Sequence, residues 1–301
     1  MAKTPEAFLK FTLEERDDMR LEAMAKINLG LDILGKRADG YHEVRLIMQT
    51  ISMCDILEFH KTKEPGITID TDEDVVPADE NNLVYRAAKL LMDEFDVKEG
   101  LSVKLEKHIP VAAGMAGGSS DAATTFVGVN ELFQLGLSKE ELMQRAVKVG
   151  ADVPYCIMRG TALAEGIGEK LTPVSPLVKC FVLVGKPGVS VSTKMAYGNL
   201  RLNEIEERPD IDGMIRDIEA KDLHAMVQKM ANVFEPGIIE QYPVIQKIKD
   251  LMEQEGACKA MMSGSGPTVF GIFDKRETMY AAEKVLRESG LAATVFAAEV
   301  C

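Results

Sequence analysis

Residues His108 to Thr125 read HIPVAAGMAGGSSDAATT, with three glycines, five alanines and one carboxylate, and run into FVGVNELFQLG. A segment so poor in side chains has two uses. It is a close backbone crossing where small residues fit, or an anion seat where bare amides at a helix start meet phosphate oxygens. Gly114, Gly117 and Gly118 would let the backbone curl with no Cβ in the way, and Ser119 and Ser120 add hydroxyls. Neither a G-x-x-x-x-G-K-[ST] nor a G-x-G-x-x-G pattern is present. A second glycine cluster, MMSGSGPTVFG at Met261 to Gly271, reads alone as a turn, but two such loops in one chain could line one anionic ligand.

Two more residues belong with these loops. Asp152, in VGADVPYC, follows a helix expected to stop near Gly150, with Pro154 blocking its continuation. Held in that break, Asp152 could accept a proton from a hydroxyl, or simply make a local turn hydrogen bond. Lys26 lies on a strand in which Ile27, Leu29, Leu31 and Ile33 alternate with Lys26, Asn28, Gly30 and Asp32. The pleat puts Lys26 and Asn28 on one face. Lys26 alone reads as a strand-edge lysine and gains meaning only beside Asp152.

The elements that must position these residues are mixed strand and helix without regular βαβ units, giving an α+β class with two lobes meeting around 160 to 180. A strand from Ala25 precedes a turn-rich loop, Gly35 to Val44, and further strand in RLIMQTISMCDILEFHK. GITIDTDEDVVPADENN reads as a polar excursion whose acids lack the spacing of a calcium loop. NLVYRAAKLLMDEF is an amphipathic helix and LSVKLEKHIP a strand. Ser119 or Ser120 is the expected N-cap of the helix after the glycines, with Gly136 as its stop, and Ser138 with Glu141 forms a capping box for the next. Helices are expected at about 192 to 199, 211 to 232, 238 to 255 and 275 to 289, with strands CFVLVGKPG and AATVFAAEV.

Composition narrows the classes. The 301 residues are 46% apolar and carry a formal charge of −13, which argues against a surface that coats nucleic acid and against a polybasic membrane face. Five scattered cysteines and four histidines give neither a disulfide framework nor zinc spacing. No stretch reaches transmembrane length and the N-terminus has no sustained apolar core, so a cytoplasmic protein is expected.

Together, AKINLGLDILGKRADGYHEV, PVAAGMAGGSSDAA, GADVPYC and MMSGSGPTVFG resemble the GHMP kinase superfamily, in order, over roughly residues 23 to 300. The first block is similar to the branch that phosphorylates a diphosphocytidyl derivative of methylerythritol. The resemblance implies a two-lobed fold. Its N-terminal lobe, 23 to 170, is like domain 2 of ribosomal protein S5, its C-terminal lobe, 171 to 301, is ferredoxin-like, and residues 1 to 22 form an extension. It implies ATP as co-substrate, Mg2+, and transfer of the γ-phosphoryl to the 2-hydroxyl of the acceptor. Residues Pro110, Val111, Ala112, Ala113, Gly114, Met115, Ala116, Gly117, Gly118, Ser119 and Ser120 would wrap the ATP phosphates. Asn82 would approach adenine and Lys107 the nucleotide, with Ser120 a candidate metal ligand. Asp152 matches the catalytic aspartate and Lys26 its paired lysine. On the acceptor side the resemblance implies Asn28 near the hydroxyls, Tyr41 and Tyr197 around cytosine, His42 at its edge, and Gly264, Ser265 and Gly266 closing the site. From the residues alone, Tyr41 reads as a loop anchor, His42 as a surface histidine and Tyr197 as a helix packing contact. Met24 departs from the usual proline, and Ala113 and Ala116 stand where relatives carry glycine. The rival readings are another small-alcohol kinase of this superfamily, its decarboxylating branch, and a nucleotide sensor without turnover, for which an alcohol-activating pair would have no use.

Overall fold

In the computed structural model, residues 18 to 202 and 205 to 301 are described. Of the expected extension, 1 to 22, only 18 to 22 fall within them, as the first rungs of a strand that begins seven residues before Ala25. The first lobe runs β1 (Asp18–Lys36), β2 (His42–Thr62), β3 (Ile67–Thr71), α1 (Leu83–Glu94), β4 (Gly100–Glu106), α2 (Gly117–Leu132), α3 (Lys139–Ala146), α4 (Val153–Met158), β5 (Thr161–Gly166) and β6 (Lys170–Pro173). Its sheet is ordered β3-β4-β2-β5-β6, with β1 paired along β2. The polar excursion holds the short strand β3, parallel to β4, which the sequence reading passed over because its alternation is only Ile67 and Ile69 long.

β1 is not a plain alternating strand. Its pairing with β2 shifts between Met24 and Lys26 and again between Asn28 and Gly30. Each irregularity reverses which face a residue presents. Ala25, Ile27 and Leu29 therefore enter a buried cluster with Val182, Phe270 and Ile272 of the second lobe, whereas Ala23, Leu31 and Ile33 join the cluster that contains Ala122 and Phe126. Lys26 and Asn28, on the face opposite Ile27, point to that helical side. The shared face read from the sequence is real, and the shifts decide which side of the sheet it addresses.

The chain leaves the first sheet after Pro173 and starts the second at β7 (Phe181–Lys186). There follow α5 (Thr193–Asn199), α6 (Ile211–Glu219), α7 (Leu223–Val227), α8 (Glu235–Gln241), α9 (Val244–Gln254), β8 (Lys259–Met262), β9 (Val269–Phe273), α10 (Arg276–Ser289) and β10 (Thr294–Glu299). The strands are ordered β10-β7-β9-β8 and pair antiparallel, the arrangement of a ferredoxin-like unit. Two long helices expected here are each broken in two. Lys221 adopts φ +60° between α6 and α7, and Pro243 separates α8 from α9. The α+β class and the two-lobed organisation stand. No described helix is long and apolar enough to cross a membrane.

Candidate active site

The glycine segment forms a left-handed staircase into α2. Ala112, Gly114 and Ala116 all have positive φ, at 50°, 75° and 57°. Alternation of this kind turns successive amides inward, the geometry of an anion-binding concavity. For an alanine it is strained, by about 1–2 kcal/mol per residue. The expected serine N-cap is absent because α2 begins earlier. Its N-cap is Ala116, which has no polar side chain to offer, and α2 starts at Gly117. The amides of Gly117, Gly118 and Ser119 thus have no intrahelical acceptor and no side-chain cap. An uncapped helix start of sixteen residues at the mouth of a strained loop fits an anion.

Within the segment, Val111, Ala112 and Gly118 are exposed, Ala113, Met115 and Ser120 buried, and Pro110, Gly114, Ala116, Gly117 and Ser119 half-buried. The two central glycines differ in duty. A Cβ at Gly118 would meet only Leu83 Cδ1, at 3.7 Å, whereas one at Gly117 would press on Ile109 and come within 3.4 Å of Lys107 Nζ. Gly117 is a packing glycine, and the open side of the loop is at Gly118. Gly114 is the close crossing: a Cβ there would collide with the Ser263 carbonyl. The two uses read from the sequence are therefore both present, at different glycines.

Lys26 Nζ donates to Asn28 Oδ1 at 2.7 Å and to the Gly114 carbonyl at 3.3 Å, and lies 3.9 Å from Asp152 Oδ2. The lysine side chain is 6% exposed and the aspartate 34%. One face of the Asp152 carboxylate therefore stays open. The residue is the N-cap of α4, but its side chain caps nothing, and Pro154 sits in the first turn of α4, where it starts that helix rather than merely ending the previous one. The capping box of α3, Ser138 with Glu141, is formed as expected.

Three expected nucleotide contacts are otherwise engaged. Asn82 is buried and caps α1, its Oδ1 accepting from Val84 N at 2.8 Å and its Nδ2 donating to the Pro77 carbonyl at 2.7 Å. Lys107 Nζ is closed between Asp55 and Asp121, 2.6 Å from the latter, with all three side chains at most 4% exposed. Burial opposes the Lys107 charge, yet the two carboxylates outweigh it and its pKa is raised. The Asp121 pKa is raised as well, to about 8, by burial above all, with Lys107 only partly offsetting it. Asp55 Oδ1 also accepts from His108 N and Ile109 N at 2.6 and 2.7 Å, which fixes the approach to the loop. Ser120 is buried and its hydroxyl donates to the Met24 carbonyl at 2.6 Å, tying α2 to β1. The bond uses the hydroxyl proton and leaves the oxygen lone pairs, so the metal role expected of Ser120 remains a proposal. No group of three or more His, Cys, Asp or Glu able to hold a metal occurs among the described residues.

On the other side, Gly264, Ser265 and Gly266 are buried, and Gly264 packs so closely that a Cβ would lie 3.1 Å from the Gly114 carbonyl. Ser265 Oγ lies 3.0 Å from Thr193 Oγ1, at the start of α5. Tyr197, on α5, meets His42 with ring centroids 4.9 Å apart and the edge of Phe234 at the same separation. Burial raises the Tyr197 pKa, with the Asp152 charge adding to it, so these rings lie on the Asp152 side. The structure thus pairs Tyr197 with His42, too closely for a base between them, while Tyr41 is 61% exposed. Asn232, Ser263, Phe234 and Asp121 were missed. Asp121, the lone acid in the first glycine segment, and Ser263, within the second, each left a local signal; Asn232 and Phe234 join the site through contacts distant in sequence.

An open helix start beside an aspartate–lysine pair on an α+β scaffold has the parts that phosphoryl transfer uses, an anion seat and a group to orient a hydroxyl. Comparison with known proteins agrees. The profile of the GHMP kinases N terminal domain matches residues 82–160 and that of the GHMP kinases C terminal matches 214–291. A 4-diphosphocytidyl-2-C-methyl-D-erythritol kinase from Lachnoclostridium phytofermentans is 54% identical over 90% of this chain and 92% of its own. One of the same name from Caldicellulosiruptor bescii is 46% identical over 89% and 94%. A crystal structure of 4-(cytidine 5'-diphospho)-2C-methyl-D-erythritol kinase superposes with a TM-score of 0.81 at 28% identity, covering 94% of this chain and 99% of that one. The chain belongs to the 4-diphosphocytidyl-2-C-methyl-D-erythritol kinase family of GHMP kinases.

Proposed function

We propose that the protein transfers the γ-phosphoryl of ATP to the 2-hydroxyl of 4-diphosphocytidyl-2-C-methyl-D-erythritol, a step in non-mevalonate isoprenoid precursor synthesis. The observation that carries this reading is the Lys26–Asp152 pair, 3.9 Å apart and open on the carboxylate side, next to the uncapped start of α2. The ATP phosphates sit on the amides of Gly117, Gly118 and Ser119 and in the concavity made by Ala112, Gly114 and Ala116. Asp152 orients the acceptor hydroxyl and takes its proton as the bond to phosphorus forms. Lys26 holds Asp152 in place and stabilises charge on the reacting oxygens. Phosphoryl transfer states are loose, so alignment by this pair matters more than base strength.

The Ser120 hydroxyl donates to the Met24 carbonyl and no group of three or more metal-ligating side chains occurs among the described residues, so magnesium fits here as a companion of the nucleotide, held mainly by phosphate oxygens and water. It would supply neutralisation of phosphate charge. Asn28 approaches the erythritol hydroxyls. Cytosine lies against the Tyr197–His42 pair with Tyr41 available to stack on it, and His42 reads its polar edge. The Ser263–Gly266 turn closes the site against the phosphate loop. Lys107 and Asn82 act from beneath, by holding the loop and α1. A cytoplasmic location and no nucleic-acid or membrane partner complete the reading, in keeping with the acidic charge.

Phosphorus NMR of the purified chain with ATP and the diphosphocytidyl alcohol tests it. A new phosphomonoester signal with ADP is the expected result. Phosphorylation of homoserine or mevalonate in its place would assign the chain to another small-alcohol kinase, and nucleotide binding with no product from any acceptor would make it a sensor.

A further inference from the structure

Asn232 stands in the apolar run Met230-Ala231-Asn232-Val233-Phe234 between α7 and α8, and like its four neighbours it is buried. A side chain that merely filled space there would be apolar. Instead every polar function of the amide is used. Nδ2 donates to the carbonyls of Met262 and Gly264, both at 2.8 Å, and Oδ1 accepts from Phe234 N at 3.0 Å.

These bonds reach three parts of the site. The Met262 and Gly264 carbonyls flank Ser263, whose hydroxyl donates to the Gly114 carbonyl at 2.9 Å, the acceptor that Lys26 also uses. Phe234 presents the ring against which Tyr197 packs. The backbone on either side of Asn232 pairs with β1, Leu31 N donating to Ala231 O at 3.0 Å and Val233 N to Leu31 O at 3.2 Å. Leu31 lies on the strand that carries Lys26 and Asn28. A buried and fully satisfied amide at such a junction specifies one arrangement, because any slip leaves a polar group unpaired.

We infer that Asn232 is a positioning residue for phosphoryl transfer, fixing the Ser263–Gly266 turn and the Tyr197 ring relative to the phosphate loop so that acceptor hydroxyl and γ-phosphate are aligned. This inference rests on the kinase reading above. Asn232 touches neither substrate. Its effect is on alignment, so its loss should let water compete for the phosphoryl group while ATP still binds.

The test uses the full chain with ATP and the diphosphocytidyl alcohol, measuring ADP and phosphorylated product together. Asn232→Asp keeps the shape but turns the donor to two carbonyls into an acceptor. It should lower kcat roughly ten-fold or more, the scale of a buried hydrogen bond left unmade, and raise the ratio of ADP to product above the parent's value. A purely structural role would reduce folded protein and scale both products equally. If Asn232→Asp does not fold, Ser263→Ala removes the next link without touching the amide and should raise the same ratio by a smaller amount. A folded Asn232→Asp with parental kcat and ratio overturns the inference, as does an unfolded one accompanied by a parental ratio in Ser263→Ala. A parent enzyme that yields no product contradicts the kinase reading instead, and is thereby distinguished from failure of the Asn232 role.

Discussion

Two lysines lie under the same glycine loop and have opposite characters. Lys26 has three partners, one of which, Asp152, sits 3.9 Å away with a third of its side chain exposed. Lys107 is held between Asp55 and Asp121, and the three side chains are almost wholly buried. The first pair is loose and open on one side, which leaves a hydroxyl room to approach the carboxylate. The second cluster is closed, with its buried groups bonded to one another and Asp55 pinning the His108 and Ile109 amides. Openness, rather than residue type, separates the lysine suited to chemistry from the lysine that supports the loop.

The largest expected effect breaks the open pair. Asp152→Asn removes the proton acceptor but keeps the shape, so kcat should fall about 10²-fold or more while calorimetry still detects ATP binding. Near-parental turnover of the folded variant would reject the role. Breaking the closed cluster should instead appear in stability. Lys107→Met leaves the buried Asp55–Asp121 pair without its cation, a loss on the order of 3–5 kcal/mol, read as a drop in urea midpoint. A parental midpoint would mean that the cluster does not hold the loop.

At the loop itself the two central glycines separate packing from binding. Gly118→Val puts a branched side chain on the open face and should weaken ATP binding at least ten-fold with little change in melting temperature. Gly117→Val should do the reverse, lowering the melting temperature by pressing on Ile109. Equal effects at both would undo the distinction. On the acceptor side, stacking on one ring is worth about 1–3 kcal/mol, so Tyr41→Ala should raise KM for the diphosphocytidyl substrate roughly ten-fold without changing KM for ATP. If the ATP constant moved instead, the rings would be at the wrong end of the cleft.

A further effect concerns pH. The folded-state pKa of Asp121 is raised to about 8, so the folded chain keeps a proton that the unfolded chain gives up near 4. Stabilisation from this group is fully present below that lower value and is lost as pH rises through about 8. The melting temperature should therefore decline from about pH 5 to about pH 8 and level off above that. Asp121→Asn should flatten that decline, and an unchanged slope would place the proton elsewhere.

The sequence made the local features legible. The capping box at Ser138 and Glu141, the helix after the glycines and the break at Asp152 each follow from a few adjacent residues. So did the face shared by Lys26 and Asn28, although the register shifts that direct it toward α2 depend on pairing with β2 and left no mark in the alternation. The N-cap was misplaced because serine is the usual cap, whereas Ala116 takes the left-handed conformation at the cap and α2 starts at Gly117, three residues sooner than a Ser119 cap would start it. The bonds of Asn82 to Pro77 and of Lys107 to the Asp55–Asp121 pair are set by folding and left no local mark. Asn232 was invisible for the same reason, since its partners Met262 and Gly264 are thirty residues away.

The comparison between the two lysines is tested most directly by rapid-quench single-turnover phosphoryl transfer in Lys26→Ala, run beside Lys107→Met and normalised to folded protein. Lys26→Ala should transfer the phosphoryl group about 10²-fold more slowly, with substrate affinity falling less than the rate, while folded Lys107→Met loses far less. A parental transfer rate in Lys26→Ala, or a defect confined to KM, would contradict the assignment of chemistry to the open pair.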